Sequence, residues 1–408
     1  MKSNYKPIGN YIQLVDERNK GLQFTNLLGV SISKQFIPSV ANIIGTDMEN
    51  YKIIRKNQFA CSTMQVRRDK KMPVALYLEN EPSIISQAYP IFEVIDTKEL
   101  LPEYLMMWFT RSEFDREACF NAVGGVRGSL EWEDFCNMQL PIPSIEKQRE
   151  IVKEYHILVD RIDLNNKLIN KIEETAQAIY KQWFVDFEFP NEKGLPYKSN
   201  GGEMVDSELG EIPKGWEVIP IKEYCIDMKN GATPSRDNLE FWNANDIPWL
   251  KTGEVCNNVL LQAEEYISKL GFKNSSTKLL PINSVLMAMY GATAGQVSFL
   301  KFEATTNQAC CAMICDSIEK SSLLYFHLLS NQEEIANMAI GGAQPNLSKN
   351  LIEKLPILKP YESLFVDFPL KSIIDNFETY SRQNQKLLEL TELLLAKMTK
   401  VETEIVSA

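Results

Sequence analysis

A chain of 408 residues exceeds what one ordinary hydrophobic core supports, so two domains or more are expected. With 44% hydrophobic and 24% charged residues, no apolar run of membrane-spanning length and no signal-peptide core in its start (MKSNYKPIGN), it reads as a soluble, cytoplasmic protein without a membrane partner. A formal net charge of −11 argues against nonspecific coating of nucleic acid, yet it leaves room for DNA read through local patches, because fields are screened within about 10 Å.

Residues 1–143 mix short β-branched and apolar runs with Gly, Pro and Asn breaks, the pattern of a mixed α/β domain. Candidate DNA contacts here are Lys34 and the segment MQVRRDKKM, with Arg67, Arg68, Lys70 and Lys71. Together with Lys52, Arg55 and Lys56, the stretch 51–72 carries seven basic residues and one acid. A basic loop would neutralise phosphates and offer arginine for bidentate contact to guanine. An edge strand and hairpin turn decorated with Lys and Arg against aggregation explain the same residues. Arg127, just after a Gly-Gly pair, is a further candidate for base or phosphate contact.

Ser144 after Pro143 is the expected N-cap of a long helix over 144–187, with Glu146 in its first turn. From Ile151 and Tyr155 through Asn165, Ile172 and Ala176 to Trp183, the seam residues alternate in steps of four and three, a heptad pattern. The helix closes on aromatics. Tyr180, Trp183, Phe184 and Phe187 form a docking patch for a partner, a cap where the helix meets a globular domain, or ordinary core. A connector rich in Gly and Pro occupies 188–216.

Residues 217–358 form the second mixed domain. In it KNGATPSRDN supplies Lys229, Thr233, Ser235 and Arg236, and PWLKTGEV supplies Lys251 and Thr252. AMYGATAGQVS contributes Tyr290, Thr293 and Gln296 on a Gly-flexible loop able to approach a backbone closely, although ordinary hairpin chemistry explains each of these segments too. Cys310, Cys311 and Cys315 lie in an apolar run (ACCAMIC) that reads as a buried strand with structural cysteines; a metal site would need more ligands. Gln344 follows a second Gly-Gly pair, as Arg127 follows the first. A second long helix, 359–408, repeats the seam through Leu370, Ile373, Phe377, Asn384 and Met398, and Pro360 and Pro369 predict that its first turns are broken or offset.

The chain is written twice. GGVRGSLEWEDFCNMQLPI matches GGAQPNLSKNLIEKLPI, SQAYPIFEV matches NQACCAMIC, and RKNQFACSTM matches PINSVLMAMY with Asn57 opposite Asn283. KPIGNYI matches IPIKEYC, and NNKLI matches NQKLL; the offset stays between 213 and 226 throughout. Each copy is a mixed domain followed by a long helix, and both seams carry one Asn able to set register at some cost in stability. A core helix is the bland account of one heptad seam; two matched seams favour an intramolecular antiparallel pair. At about 1.5 Å per residue the first seam spans roughly 48 Å, and successive turns of DNA present one groove about 34 Å apart.

No phosphate-binding loop, dinucleotide fingerprint or Asn-Pro-Pro-aromatic run occurs, and His156 and His327 both read as helix residues. The chain reads as noncatalytic.

The stretches IEETAQAIYKQWFVDFEFP (172–190), ELGEIPKGWEVIPI (208–221), NGATPS (230–235) and LPIPSIEKQREIV (140–152) resemble the specificity (S) subunit of type I restriction-modification systems. The resemblance covers essentially the whole chain; the first domain lacks the GEIPKGW lead-in of the second. It implies an α+β fold, with two target-recognition domains joined by two long antiparallel coiled-coil helices in a pseudo-twofold repeat. It further implies double-stranded DNA as ligand, each domain reading one half of a bipartite asymmetric site. Two methyltransferase (M) subunits are implied as partners, carrying S-adenosylmethionine and the base-flipping chemistry, with restriction (R) subunits bringing ATP and Mg; this chain itself holds no cofactor or metal. The competing expectations are a coiled-coil adaptor between proteins without nucleic acid, and a single-chain restriction-methylase.

Overall fold

The computed structural model describes residues 5–39, 46–64, 66–124, 128–339, 346–366 and 368–400. It divides into two compact units, Met1–Arg161 with Lys386–Ala408, and Ile162–Gln385. Each unit therefore combines one globular copy with part of both long helices.

In the first unit an antiparallel sheet runs in the order Ile12–Val15, Ile91–Val94, Gln58–Cys61, Val74–Leu76. The Gln58–Cys61 strand is buried along its whole length, Phe59, Ala60 and Cys61 as apolar side chains and Gln58 with its amide donating to Glu93 at 3.0 Å. A second, mixed sheet runs Phe36–Pro38, Leu27–Val30, Ser83–Ile85, Lys52–Ile54, with a parallel contact between its two middle strands. Helices Pro102–Thr110, Ser112–Asn121 and Trp132–Asn137 cover the antiparallel sheet. Phe59 and Phe92 stack at 4.9 Å beneath Phe109, Phe114 and Phe135. Tyr5–Pro7 pairs with Gln139–Pro141 just ahead of the long helix Ile145–Phe184.

The second unit repeats this plan with one strand more in its larger sheet and one fewer in its mixed sheet. Its larger sheet runs Asp227–Asn230, Cys310–Ile314, Val285–Ala288, Val297–Leu300, Asn258–Leu260, the last strand being an addition. Its mixed sheet runs Glu265–Ile267, Ile247–Leu250, Thr305–Thr306, again with one parallel contact. Glu217–Pro220 and Pro356–Lys359 form the closing pair, and helices Ile318–Ser330, Gln332–Asn337 and Lys349–Lys354 take the covering places. Asn57 and Asn283, matched by sequence alone, both sit at φ 67° and donate their N–H to the carbonyls of Tyr77 and Leu300 respectively. Asn tolerates this left-handed turn better than most side chains.

The helix Ile145–Phe184 starts at Ser144, whose Oγ accepts the Lys147 N–H at 3.3 Å. In the second unit, Ile169, Ile172 and Ala176 pack with Ile373 and Phe377 of the other long helix. At its centre the fully buried Asn165 donates to Asn384 Oδ1 at 2.8 Å, and Asn384 donates to Asn166 Oδ1 at 2.8 Å. Two asparagines from equivalent places in the repeat thus pair with one another, and a slipped register would leave the buried Asn165 amide nitrogen without this acceptor. In the first unit Ile151, Val152 and Tyr155 meet Leu395 and Met398 in the same way. The second long helix begins at Pro369, ten residues beyond the expected 359. The intervening chain is spent on the strand Pro356–Lys359 and a 3-10 turn at Glu362–Phe365, and Pro at the first helical position lacks only an N–H that would be unpaired anyway.

Candidate nucleic-acid interface

In the second unit, three motifs that are far apart in sequence converge at one end of the larger sheet. The strand Asp227–Asn230 leaves the sheet at Gly231, where a Cβ would lie 2.0 Å from the Thr306 carbonyl oxygen. Only glycine allows that approach, which lets the Ala232 N–H donate to Thr306 O at 2.9 Å. Two residues on, Thr233 donates its hydroxyl to Gln308 Oε1 at 2.7 Å. Thr252 donates to Asn307 Oδ1 at 2.9 Å, and the Asn307 N–H bonds to Leu250 O at 3.0 Å. Tyr290, half-exposed, bridges to Asn346, while Thr293 turns back onto the Tyr290 carbonyl at 3.4 Å. Ser235 is exposed and its carbonyl accepts the Trp242 indole N–H at 3.0 Å.

Arg236 is pinned rather than free. Its guanidinium lies 3.6 Å over the Trp242 ring and 4.8 Å from Trp249, and pairs with Glu265 at 2.6 Å. Lys251 pairs with the same carboxylate at 2.9 Å and with Glu264 at 3.1 Å. Burial works to raise the Glu265 pKa, but the hydrogen bonds from Arg236 and Lys251 outweigh it and hold the carboxyl below its ordinary value. Two cations facing two carboxylates leave this surface polar rather than basic.

In the first unit the basic stretch begins as an edge strand, Lys52–Ile54, with Lys56 in the turn that follows it, but its second half is not a strand. It forms a short helix, Val66–Asp69, between the strands Gln58–Cys61 and Val74–Leu76, the connection equivalent to the one holding Tyr290 and Thr293. Each connection is tied to the chain beyond the Gly-Gly pair by a matching bond, Leu130 N–H to Thr63 O at 2.9 Å and Leu347 N–H to Met289 O at 2.8 Å. Arg67 reaches the Gly124 carbonyl at 2.8 Å, and Arg68 pairs with Asp69 at 2.7 Å. Lys70 and Lys71 are exposed, with no ion pair among the described residues. Arg127 and Gln344 lie outside the described residues.

Lys34 is a correction. Its ammonium is buried, paired to Asp115 at 2.7 Å, bonded to the Phe109 carbonyl and set 4.8 Å from the Phe114 ring. Burial pulls its pKa down, and Asp115 opposes this only in part. A lysine so enclosed holds the loop between Leu27–Val30 and Phe36–Pro38 against helix Ser112–Asn121 and cannot reach a phosphate. Nothing in the local sequence distinguishes it from a surface lysine.

The aromatic docking patch is a second correction. Tyr180, Phe184 and Phe187 are buried within this chain, and the partly buried Trp183 packs on Phe368 at 6.0 Å. Phe184 and Phe187 lie 5.4 and 5.9 Å from Trp216, and Phe189 stacks on it at 5.0 Å. The helix-end motif and the GEIPKGW motif therefore fold onto each other, capping the long helix with the second domain's core. The Tyr180 hydroxyl meets His327 Nδ1 at 2.9 Å; that imidazole is partly buried, and burial lowers its pKa to about 4. It is a neutral packing residue. Sequence reading passed over Gln308, Asn307, Asn346 and Glu265, all of which the fold brings to this surface. The available signal was that Asn307, Gln308 and Asn346 lie inside repeat matches; Glu265 had none.

Among solved structures, an S subunit of a type I restriction-modification system from M. genitalium superposes with a TM-score of 0.56 over 98% of this chain and 96% of that one; at 12% identity this speaks to fold alone. The HindI specificity subunit of Haemophilus influenzae is 24% identical, covering 93% of this chain and 94% of the relative. The MjaIX specificity subunit of Methanocaldococcus jannaschii is also 24% identical, over 76% of this chain and 71% of its own length. The model of the type I restriction modification DNA specificity domain matches residues 39–174 and again 213–386, one match per copy. A sequence matched twice by that model, over most of its length and on both halves of its repeat, belongs to the type I restriction-modification DNA specificity family.

Proposed function

We propose that this chain is the noncatalytic recognition subunit of a type I restriction-modification complex, each globular copy reading one half of a bipartite, asymmetric DNA site. The observation that carries this reading is the repeat. One fold occurs twice, and the connection that is basic in the first copy (Lys70, Lys71) is neutral and hydroxyl-rich in the second (Tyr290, Thr293). Equal scaffolds whose loops differ in charge suit two unlike half-sites, the lysines meeting phosphate rather than reading bases. The adaptor reading loses its ground because the family match spans both globular copies as well as the helices.

The two long helices would act as an antiparallel coiled-coil spacer and as the scaffold for two methyltransferase subunits, with restriction subunits joining that assembly. S-adenosylmethionine, ATP and Mg belong to those partners. Since the helix-end aromatics are buried, docking needs another surface. Within the first unit, Ile157 on one helix and Leu390 and Leu393 on the other are more than half exposed, off the seam. In heptad terms all three fall on the same flank of an antiparallel pair, an apolar face of the kind that partners cover. The acidic balance and the neutralised Arg236 and Lys251 fit a chain whose phosphate contacts come largely from its partners.

Retention of random-sequence duplexes by the chain assembled with its methyltransferase subunits tests the proposal. Enrichment of one bipartite motif is expected; equal retention of all duplexes, or none, would overturn it.

A further inference from the structure

The two copies carry the same exposed side chain at the same turn. In the first, the strand Ser83–Ile85 ends in a turn in which the Tyr89 N–H bonds to Ser86 O at 3.1 Å and the Ala88 N–H to Ser86 Oγ at 3.4 Å. In the second, after Thr305–Thr306, the Cys310 N–H bonds to Asn307 O at 3.4 Å and the Ala309 N–H to Asn307 Oδ1 at 3.2 Å. These are the same doubly bonded turn built from Ser in one copy and Asn in the other. The residue at its tip is Gln87 in the first and Gln308 in the second, exposed in both. Their registers agree as well. Ile85 pairs with Leu28 and Thr306 with Leu250 across equivalent parallel contacts, and each glutamine follows two residues later.

The neighbours differ: Tyr89 and Pro90 in one copy stand where Cys310 and Cys311 stand in the other. This position of a β-turn accepts most residues, so turn formation does not select glutamine. Both turns also lie beside the candidate reading loops, through Cys61 N–H to Pro90 O at 3.1 Å and Met289 N–H to Ala309 O at 2.8 Å. In the second copy the amide has a set orientation, because Thr233 donates to Gln308 Oε1 at 2.7 Å. Among the described residues nothing else bonds this amide, which leaves the second lone pair of the oxygen and both N–H bonds of the nitrogen available.

A neutral amide is a poor choice for a phosphate and a good one for an adenine edge, where it accepts from N6 and donates to N7 in parallel. We propose that Gln87 and Gln308 are matched base readers, each contacting one adenine in the half-site of its own domain, with Thr233 as the positioning residue for Gln308. This rests on the DNA-recognition reading above and extends it to a base and two residues.

The test uses the chain assembled with its methyltransferase subunits, and selection of bound duplexes from a random library for the wild type, Gln87→Ala, Gln308→Ala and Thr233→Val. Gln308→Ala should lose discrimination at one adenine position by about 10-fold to 100-fold, the range for a bidentate base contact. Gln87→Ala should do so at one position in the other half, and Thr233→Val should relax the Gln308 position more weakly. Placing 7-deazaadenine at that position should weaken the wild type and leave Gln308→Ala unaffected. Uniform weakening on every duplex would mean a backbone contact, and unchanged preference in both Ala variants would mean no contact; either overturns the assignment while the DNA-recognition reading stands. A wild-type complex that selects no motif overturns both.

Discussion

Replacing Lys70 and Lys71 together by Ala should flatten the salt dependence of DNA binding without moving sequence preference. The expectation comes from counting which cations of the basic stretch remain available. Lys52 is spent on the Tyr89 carbonyl at 3.0 Å, Arg55 on Glu17 at 2.6 Å, Lys56 on Asn80 at 2.8 Å and Arg68 on Asp69 at 2.7 Å. Lys70 and Lys71 are what is left beside Arg67, which has one donor on the Gly124 carbonyl. Each lysine on a phosphate contributes about 0.9 to the slope of log affinity against log salt, so the double variant should lose about 1.8. Between 50 and 200 mM salt the wild-type complex would then lose about 12-fold more affinity than the variant. Fluorescence anisotropy on the preferred duplex and on a random one, across that salt range, measures this. A slope unchanged by the double substitution would refute the reasoning, as would a shift in the preferred sequence.

The remaining expectations follow from the same geometry. Lys34→Met should leave the salt slope alone and cost about 3–5 kcal/mol of stability in chemical denaturation, because Asp115 is left buried without its partner. Since the His327 folded-state pKa of about 4 lies below its ordinary 6.5, the unfolded chain takes up the proton first. Stability should therefore hold above pH 6.5 and fall as pH drops towards 4, by about 3 kcal/mol at most, and His327→Gln should remove that component from the pH profile of the melting temperature. Ile157→Asp with Leu390→Asp should weaken assembly with the methyltransferase subunits in size-exclusion chromatography and leave the selected motif as it was; intact assembly would place the docking surface elsewhere.

How far the sequence could be read depended on whether a feature was local or tertiary. The seam residues from Ile151 to Trp183 all avoid full exposure, because a heptad stripe needs only helical periodicity to find its partner. Asn57 and Asn283 were matched by string comparison and share a backbone conformation, since a left-handed turn constrains residue type directly. Lys34 was misread because its burial depends on Asp115, many residues away, and the heptad residues around Phe184 gave no sign that Trp216 would cover it. Arg236 and Lys251 looked like free cations until the fold set Glu264 and Glu265 beside them. Gln87 and Gln308 were both visible within a repeat match, but their meaning lay in exposure and turn geometry that no string carries.

The most direct measurement of the central claim is long-read mapping of methylated adenines in DNA from cells carrying the cognate methyltransferase subunits, with and without this chain. Methylation confined to one bipartite motif and abolished when the chain is absent is the predicted result. Methylation at the same positions without the chain, or at sites sharing no motif, would contradict it.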